Sequence, residues 1–124
     1  MMVGLGIDVA SVERIQASLE RFGDKFWQRI LTPSEQSDLA TRADRATALA
    51  GRFAAKEAAA KALGGQPDVW WHEIEIRPNE RGTPQITFLG PALEHAERLG
   101  VRRIFVSITH DAGVAAAVVA LEAD

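Results

Sequence analysis

The chain has 124 residues, of which 47% are hydrophobic and 25% charged, with a formal net charge of −3 and no cysteine. That length suits one compact domain over residues 1–124, and the missing cysteines exclude a disulfide framework or a thiolate zinc site. No apolar run reaches the ~20 residues of a membrane-spanning helix, the N-terminus lacks the basic start and cleavage site of a signal peptide, and the net charge argues against general nucleic-acid binding; a cytoplasmic protein with neither a membrane nor a nucleic acid as partner is expected.

Val3, Leu5, Ile7 and Val9 alternate with Gly4, Gly6 and Asp8, which predicts a half-buried strand. Asp8 then shares its face with two glycines, on a surface cleared of side chains where something else can sit. Ser11 caps a predicted helix with Val12, Ile15, Leu19 and Phe22 at helical spacing, ending at Gly23. A short helical segment is expected around Lys25 to Leu31. Thr32-Pro33-Ser34-Glu35 then opens another helix with a capping Thr, Pro at the first position and Glu three residues after the cap, running to about Arg42. The longest helix follows, roughly Arg45 to Leu63, stopped by Gly64-Gly65.

After Pro67 the pattern changes. Trp70 to Ile76 reads as a strand, so the adjacent Trp70 and Trp71 would face opposite ways. Asn79-Glu80-Arg81-Gly82 makes a turn, and Gln85 to Leu89 returns. Gly90-Pro91 opens a helix carrying Leu93, Ala96 and Leu99. Arg103 to Thr109 and Val114 to Leu121 are apolar strands joined by His110-Asp111-Ala112-Gly113. The sum is an α+β single domain, a largely antiparallel sheet packed with a long central helix.

The most informative stretch is Arg52-Phe53-Ala54-Ala55-Lys56-Glu57-Ala58-Ala59-Ala60-Lys61-Ala62. Glu57 and Lys61 lie at i and i+4 and project from one helix face. That pairing is an ordinary surface device, and it is equally an arrangement that holds a metal ion beside a phosphate. Between Arg42 and Lys61 stand five basic residues (Arg42, Arg45, Arg52, Lys56, Lys61) and two acidic ones (Asp44, Glu57), read either as a solvated face or as a landing site for an anion. Magnesium often takes only one or two protein carboxylates, with phosphate and water completing its shell. Asp8 and Glu57 suit that sparse requirement, and Lys61 could meet the phosphate as a point charge. Asp8 could equally be a turn residue. No dinucleotide, Walker or hydrolase-elbow motif is present, and His72 and His95 show no zinc-ligand spacing.

Gly6-Ile7-Asp8, the mid-chain Phe-x-x-Lys-Glu-x-x-x-Lys-Ala and Ser107-Ile108-Thr109-His110, in that order and over nearly the whole chain, resemble the holo-acyl-carrier-protein synthase family, the short type of 4′-phosphopantetheinyl transferase. The family's Gly-Lys-Pro hairpin element stands here as Gly82-Thr83-Pro84, which puts a charge contact from position 83 in doubt. The resemblance implies magnesium-dependent transfer of phosphopantetheine from coenzyme A to a serine of an apo acyl carrier protein, releasing adenosine 3′,5′-bisphosphate. It maps Asp8 and Glu57 to magnesium and Lys61 to the pyrophosphate. Gly64, Pro84, Thr109 and His110 map to the coenzyme pocket, and Arg52 to the nucleotide phosphates. The first helix, with Arg14, Arg21, Phe22 and Lys25, would dock the carrier protein. A homotrimer with active sites between subunits is also implied, which would give the alanines of the central helix a purpose in close packing; Ala is also simply the best helix former. A non-catalytic carrier-binding or assembly module of the same fold, and another magnesium-dependent phosphotransferase, are the alternatives. Which carrier proteins are accepted stays open.

Overall fold

Strand β1 (Met2–Ser11) keeps the expected period of two but with its faces exchanged. Leu5, Ile7 and Val9 are 60%, 65% and 62% exposed, whereas the Gly4, Gly6, Asp8 face is turned inward. The cause is the long helix α4 (Arg45–Ala62), which crosses that face at backbone distance. A methyl carbon added to Gly4 would lie 2.2 Å from the Ala62 carbonyl oxygen. The surface that the glycines clear is therefore filled by the chain's own helix. Ala54, Ala55, Ala58 and Ala59 are fully buried, so the small residues of α4 serve the chain's own sheet and leave little of that helix for a neighbouring subunit.

The computed structural model describes residues 1–65 and 70–124; Pro67, where the sequence pattern changes, lies outside them. Helix α1 (Val12–Phe22) starts as expected, with Ser11 Oγ accepting the Arg14 N–H at 3.2 Å, and stops at Gly23, whose φ is 60°. Phe22, read as part of its apolar stripe, is 53% exposed. Helix α2 (Asp24–Ile30) follows. Helix α3 (Pro33–Leu39) opens with the expected capping box, Glu35 N–H to Thr32 Oγ1 and Thr32 N–H to Glu35 Oε1. It ends short of Arg42, which instead reaches across a bend to Asp44 at 2.8 Å.

All strand pairs are antiparallel, but they form two sheets rather than one. Strands β4 (Val101–Asp111) and β5 (Val114–Ala123) join β1 in the order β1-β5-β4. Strands β2 (Ile74–Pro78) and β3 (Pro84–Phe88) pair separately. The strand expected from Trp70 begins only at Ile74, because Trp71–Glu73 form a single 3₁₀ turn. Glu73 secures that turn: its carboxylate accepts the N–H groups of Trp70 and of Ala92. Ala92 belongs to helix α5 (Gly90–Arg98), which buries Ala92 and Ala96, while Leu93 and the capping Leu99 are exposed. Only Ala112 and Gly113 make the β4–β5 turn; His110 and Asp111 pair with Ala115 and Val114 inside the sheet. Ile30, Leu31, Leu49, Ile76, Val119 and Leu121 are fully buried and centre the core between α4 and the sheets. No helix among the described residues is long and apolar enough to cross a membrane.

Candidate active site

Strand β1 and helix α4 carry the three residues that the sequence sets apart, and the structure joins two of them directly, Lys61 to Asp8. Lys61, in the last turn of α4, donates from Nζ to Asp8 Oδ1 at 2.9 Å and to the Ile7 carbonyl at 3.1 Å. Glu57, one turn earlier, makes no bond to Lys61. Its Oε1 accepts the indole N–H of Trp71 at 2.7 Å. The i, i+4 pair is thus not a surface salt bridge: each partner is committed to a different element. Glu57, Lys61, Trp70, Trp71, Ala60, Lys56 and Ile74 line an open cavity of about 260 Å³.

This donor set fits magnesium. Asp8 and Glu57 are hard oxygen ligands, and each keeps one carboxylate oxygen without a hydrogen bond among the described residues. No group of three or more metal-binding side chains exists among the described residues, so a cation here would rely on phosphate and water for its remaining ligands, as magnesium does. The Lys61–Asp8 pair is no obstacle. The side chains of Lys61 and Asp8 are 55% and 20% exposed, and an ion pair open to solvent on its lysine side is of the kind that contributes about 0–1 kcal/mol.

Behind the cavity lies a group that sequence reading missed. The Lys56 ammonium is completely buried and spends its donors on Glu35 Oε1 (2.6 Å), the Ile30 carbonyl (2.8 Å) and the Trp71 carbonyl (3.0 Å). Glu35 Oε2 accepts the Ile76 N–H at 2.9 Å. Burial pulls the Lys56 ammonium below its ordinary pKa, and the Glu35 carboxylate opposes that. Removing one partner would strand a buried charge, at a cost of about 3–5 kcal/mol. A lysine on the buried stripe of an alanine-rich helix was the available signal, with Glu35, read only as a cap, as its counter-ion.

Arg52, Thr109 and His110 gather elsewhere. With Arg42, Thr47 and Ile108 they line a separate cavity of about 150 Å³ that shares no residue with the first. Arg52 Nε is buried there with no hydrogen-bond partner among the described residues. Burial lowers the guanidinium's pKa while Glu35 and Asp38 act in the opposite direction. Such a donor fits an incoming anion. Gly64 ends α4 with φ 99°. Pro84 opens β3 opposite Pro78 and lines neither cavity. Of the first-helix residues, Arg21 stacks on the Phe22 ring at 5.1 Å. Phe22 lines a groove of about 380 Å³ with Phe26, Arg29, Trp71 and Lys25, which stands on α2 and not, as expected, on the first helix; that groove adjoins the Glu57 cavity through Trp71. Arg14 is exposed and lines none of these.

Residues 4–119 match the model of the 4′-phosphopantetheinyl transferase superfamily. The chain belongs to that family. A holo-[acyl-carrier-protein] synthase of Solidesulfovibrio magneticus is 52% identical over 98% of this chain and 99% of its own length. Among solved structures, holo-[acyl-carrier-protein] synthase from Neisseria meningitidis superposes with a TM-score of 0.88 at 36% identity, covering 98% of this chain and 99% of its own. The Helicobacter pylori enzyme, solved with coenzyme A, gives 0.82 at 34% identity over 95% and 99%. The two-sheet architecture with α4 against β1 is thus the phosphopantetheinyl transferase fold.

Proposed function

We propose that this chain transfers 4′-phosphopantetheine from coenzyme A to a serine of an apo acyl carrier protein, acting as one domain over residues 1–124. The observation that carries the reading is that Glu57 and Lys61 line one cavity and Lys61 bonds Asp8 of β1, which links two carboxylates and an ammonium drawn from two elements. Relatives of this length named holo-[acyl-carrier-protein] synthase, one solved with coenzyme A, support it.

In the transfer the serine oxygen bonds to the phosphorus bearing the pantetheine arm, and the bond from that phosphorus to the bridging oxygen breaks. The bridging oxygen and its electron pair leave with adenosine 3′,5′-bisphosphate. The serine proton passes to the Glu57 carboxylate, directly or through a water. Lys61, released from Asp8 at small cost, meets the charge that grows on the leaving phosphate. Asp8 and Glu57 would hold magnesium, which when bound supplies charge neutralisation on the pyrophosphate. Arg52, Gly64, Pro84, Thr109 and His110 are assigned to coenzyme A. Arg14, Arg21, Phe22 and Lys25 are assigned to the carrier, whose acidic surface would suit their charge.

Because the Arg52–His110 cavity and the Glu57 cavity do not meet within one chain, we assign the working unit to a homotrimer with sites between subunits. The outer face of the three-stranded sheet supports this. Leu5, Ile7, Val9, Phe105 and Val118 expose an apolar surface there, of the kind that marks an interface.

The test is mass spectrometry of an apo carrier protein incubated with the chain, coenzyme A and magnesium. The carrier gains the phosphopantetheine mass with the native chain and not with Glu57→Gln, which stays folded by circular dichroism. No mass gain with the native chain, across a panel of apo carriers, would sink the reading. A preparation active only without metal, or equally active with and without it, would remove magnesium.

A further inference from the structure

Lys56 and Glu57 are neighbours on α4, yet they grip opposite ends of one residue. Lys56 Nζ donates to the main-chain carbonyl of Trp71, and Glu57 Oε1 accepts from the indole N–H of the same tryptophan. The ring between them is fixed on other sides as well. Phe53 packs against it with centroids 5.9 Å apart at 41°, and the Arg29 guanidinium lies 5.7 Å from its centre.

We propose that Trp71 is a positioning residue for the Glu57 carboxylate, and that Lys56, through the Trp71 carbonyl, sets where the indole donor stands. The inference rests on reading Glu57 as a carboxylate of the magnesium site.

Glu57 needs such a guide. Its side chain has three rotatable torsions, and its neighbours one turn away are Phe53, Ala54, Ala60 and Lys61. The Phe53, Ala54 and Ala60 side chains offer no hydrogen bond, and Lys61 is committed to Asp8. The indole N–H is the donor that selects one placement, and it does so through Oε1 alone, leaving Oε2 available. Groups that orient a metal-binding carboxylate in this way act on metal affinity as strongly as ligands of lesser rank.

The same logic explains a lysine at position 56. A methionine of similar length would fill the space without the desolvation cost of an ammonium. What only the ammonium does is bond acceptors from α2, α3 and the 3₁₀ turn at once. It fixes the turn carrying Trp71 to the helix carrying Glu57, one residue from Glu57 itself.

Indole N–H resonances of the ¹⁵N-labelled full chain test this. There are three, from Trp27, Trp70 and Trp71, and Trp71→Phe identifies its own by loss. The Trp71 resonance shifts in Glu57→Ala and on adding magnesium with coenzyme A, while that of Trp27 stays. Trp71→Phe keeps an aromatic ring and native circular dichroism but loses the indole donor, and raises the magnesium concentration for half-maximal rate, and for coenzyme A binding by calorimetry, about tenfold. Lys56→Met shifts the Trp71 resonance and raises the magnesium requirement in the same direction; if that variant does not fold, the double Lys56→Met, Glu35→Gln variant carries this arm. Wild-type magnesium dependence in Trp71→Phe, with Glu57→Gln inactive, overturns the positioning role and leaves the transferase reading standing. Wild-type turnover in Glu57→Gln overturns the site assignment itself. A folded Lys56 variant with an unmoved Trp71 resonance removes Lys56 from the chain of contacts.

Discussion

Gly6 on β1 and Ala58 on α4 stand so close that a Cβ on Gly6 would fall 1.9 Å from the Ala58 carbonyl oxygen. Both atoms belong to backbone, or to a carbon bonded directly to it, so no side-chain rotation relieves the clash. The helix must move away from the strand. Gly6→Ala is therefore expected to cost at least about 3 kcal/mol, the upper part of the range for overpacked cores. Urea unfolding measures it, and because Asp8 is two residues along, activity should fall further than stability alone explains.

The β4–β5 turn offers a gain in the opposite sense. Ala112 is the only non-glycine residue with positive φ among those described, at 51°, followed by Gly113 at 78°. Two successive left-handed residues make the hairpin turn that favours Asn-Gly. Ala112→Asn is expected to raise stability by about 0.5–1 kcal/mol, part of the 1–2 kcal/mol that the left-handed region costs other residues. Differential scanning calorimetry should show a higher midpoint.

Asp38 and Arg77 tie α3 to β2 through two hydrogen bonds of 2.9 Å. The Arg77 guanidinium holds the Asp38 carboxyl below its ordinary value. The folded chain thus binds that proton less tightly than the unfolded chain. The contribution to stability is complete above the unfolded value near 3.9 and disappears as pH falls through the lower folded value. The midpoint of Asp38→Asn should lie under the native one at pH 7 and converge with it as the pH falls through the lowered folded value.

Ile7, 65% exposed in the single chain, faces outward opposite Val118. With the sheet face as the subunit contact, Ile7→Lys yields a monomer by sedimentation velocity. Its secondary structure is retained, since the side chain contributes little to the chain's own core, and its transfer activity is lost. A native chain that sediments as a monomer at micromolar concentration would remove the trimer.

Much of this was readable from residue order, and the failures have specific physical causes. Ser11, the Thr32–Glu35 box and the Gly64-Gly65 stop are local devices, each satisfied within a few residues, so the sequence carries them whole. Asp8, Glu57 and Lys61 were legible as chemistry, and the contact of Lys61 with Asp8 follows from α4 crossing β1. The faces of β1 were misread because alternation names two faces without saying which is covered. Backbone proximity to α4 decided that, and glycines next to a helix look the same in sequence as glycines beside a ligand. Trp70–Glu73 was read as strand because its bulky residues favour one; Glu73's two bonds to main-chain N–H groups override that preference. Lys56 was invisible as a core residue, because the counter-ion that lets it be buried lies twenty-one positions away.

The sheet order has a consequence for how the protein is made. β1, which carries Asp8, is hydrogen-bonded in its sheet to β5 and to no other strand. On a ribosome it emerges first and waits, roughly a hundred residues, for the segment Val114–Ala123 that will pair with it. Helices α1 to α4 can form during that interval, but the floor on which Asp8 meets Lys61 cannot. Pairing of β1 thus waits on β5, and any nascent chain shortened before Val114 carries Asp8, Glu57 and Lys61 without the strand that pairs with β1.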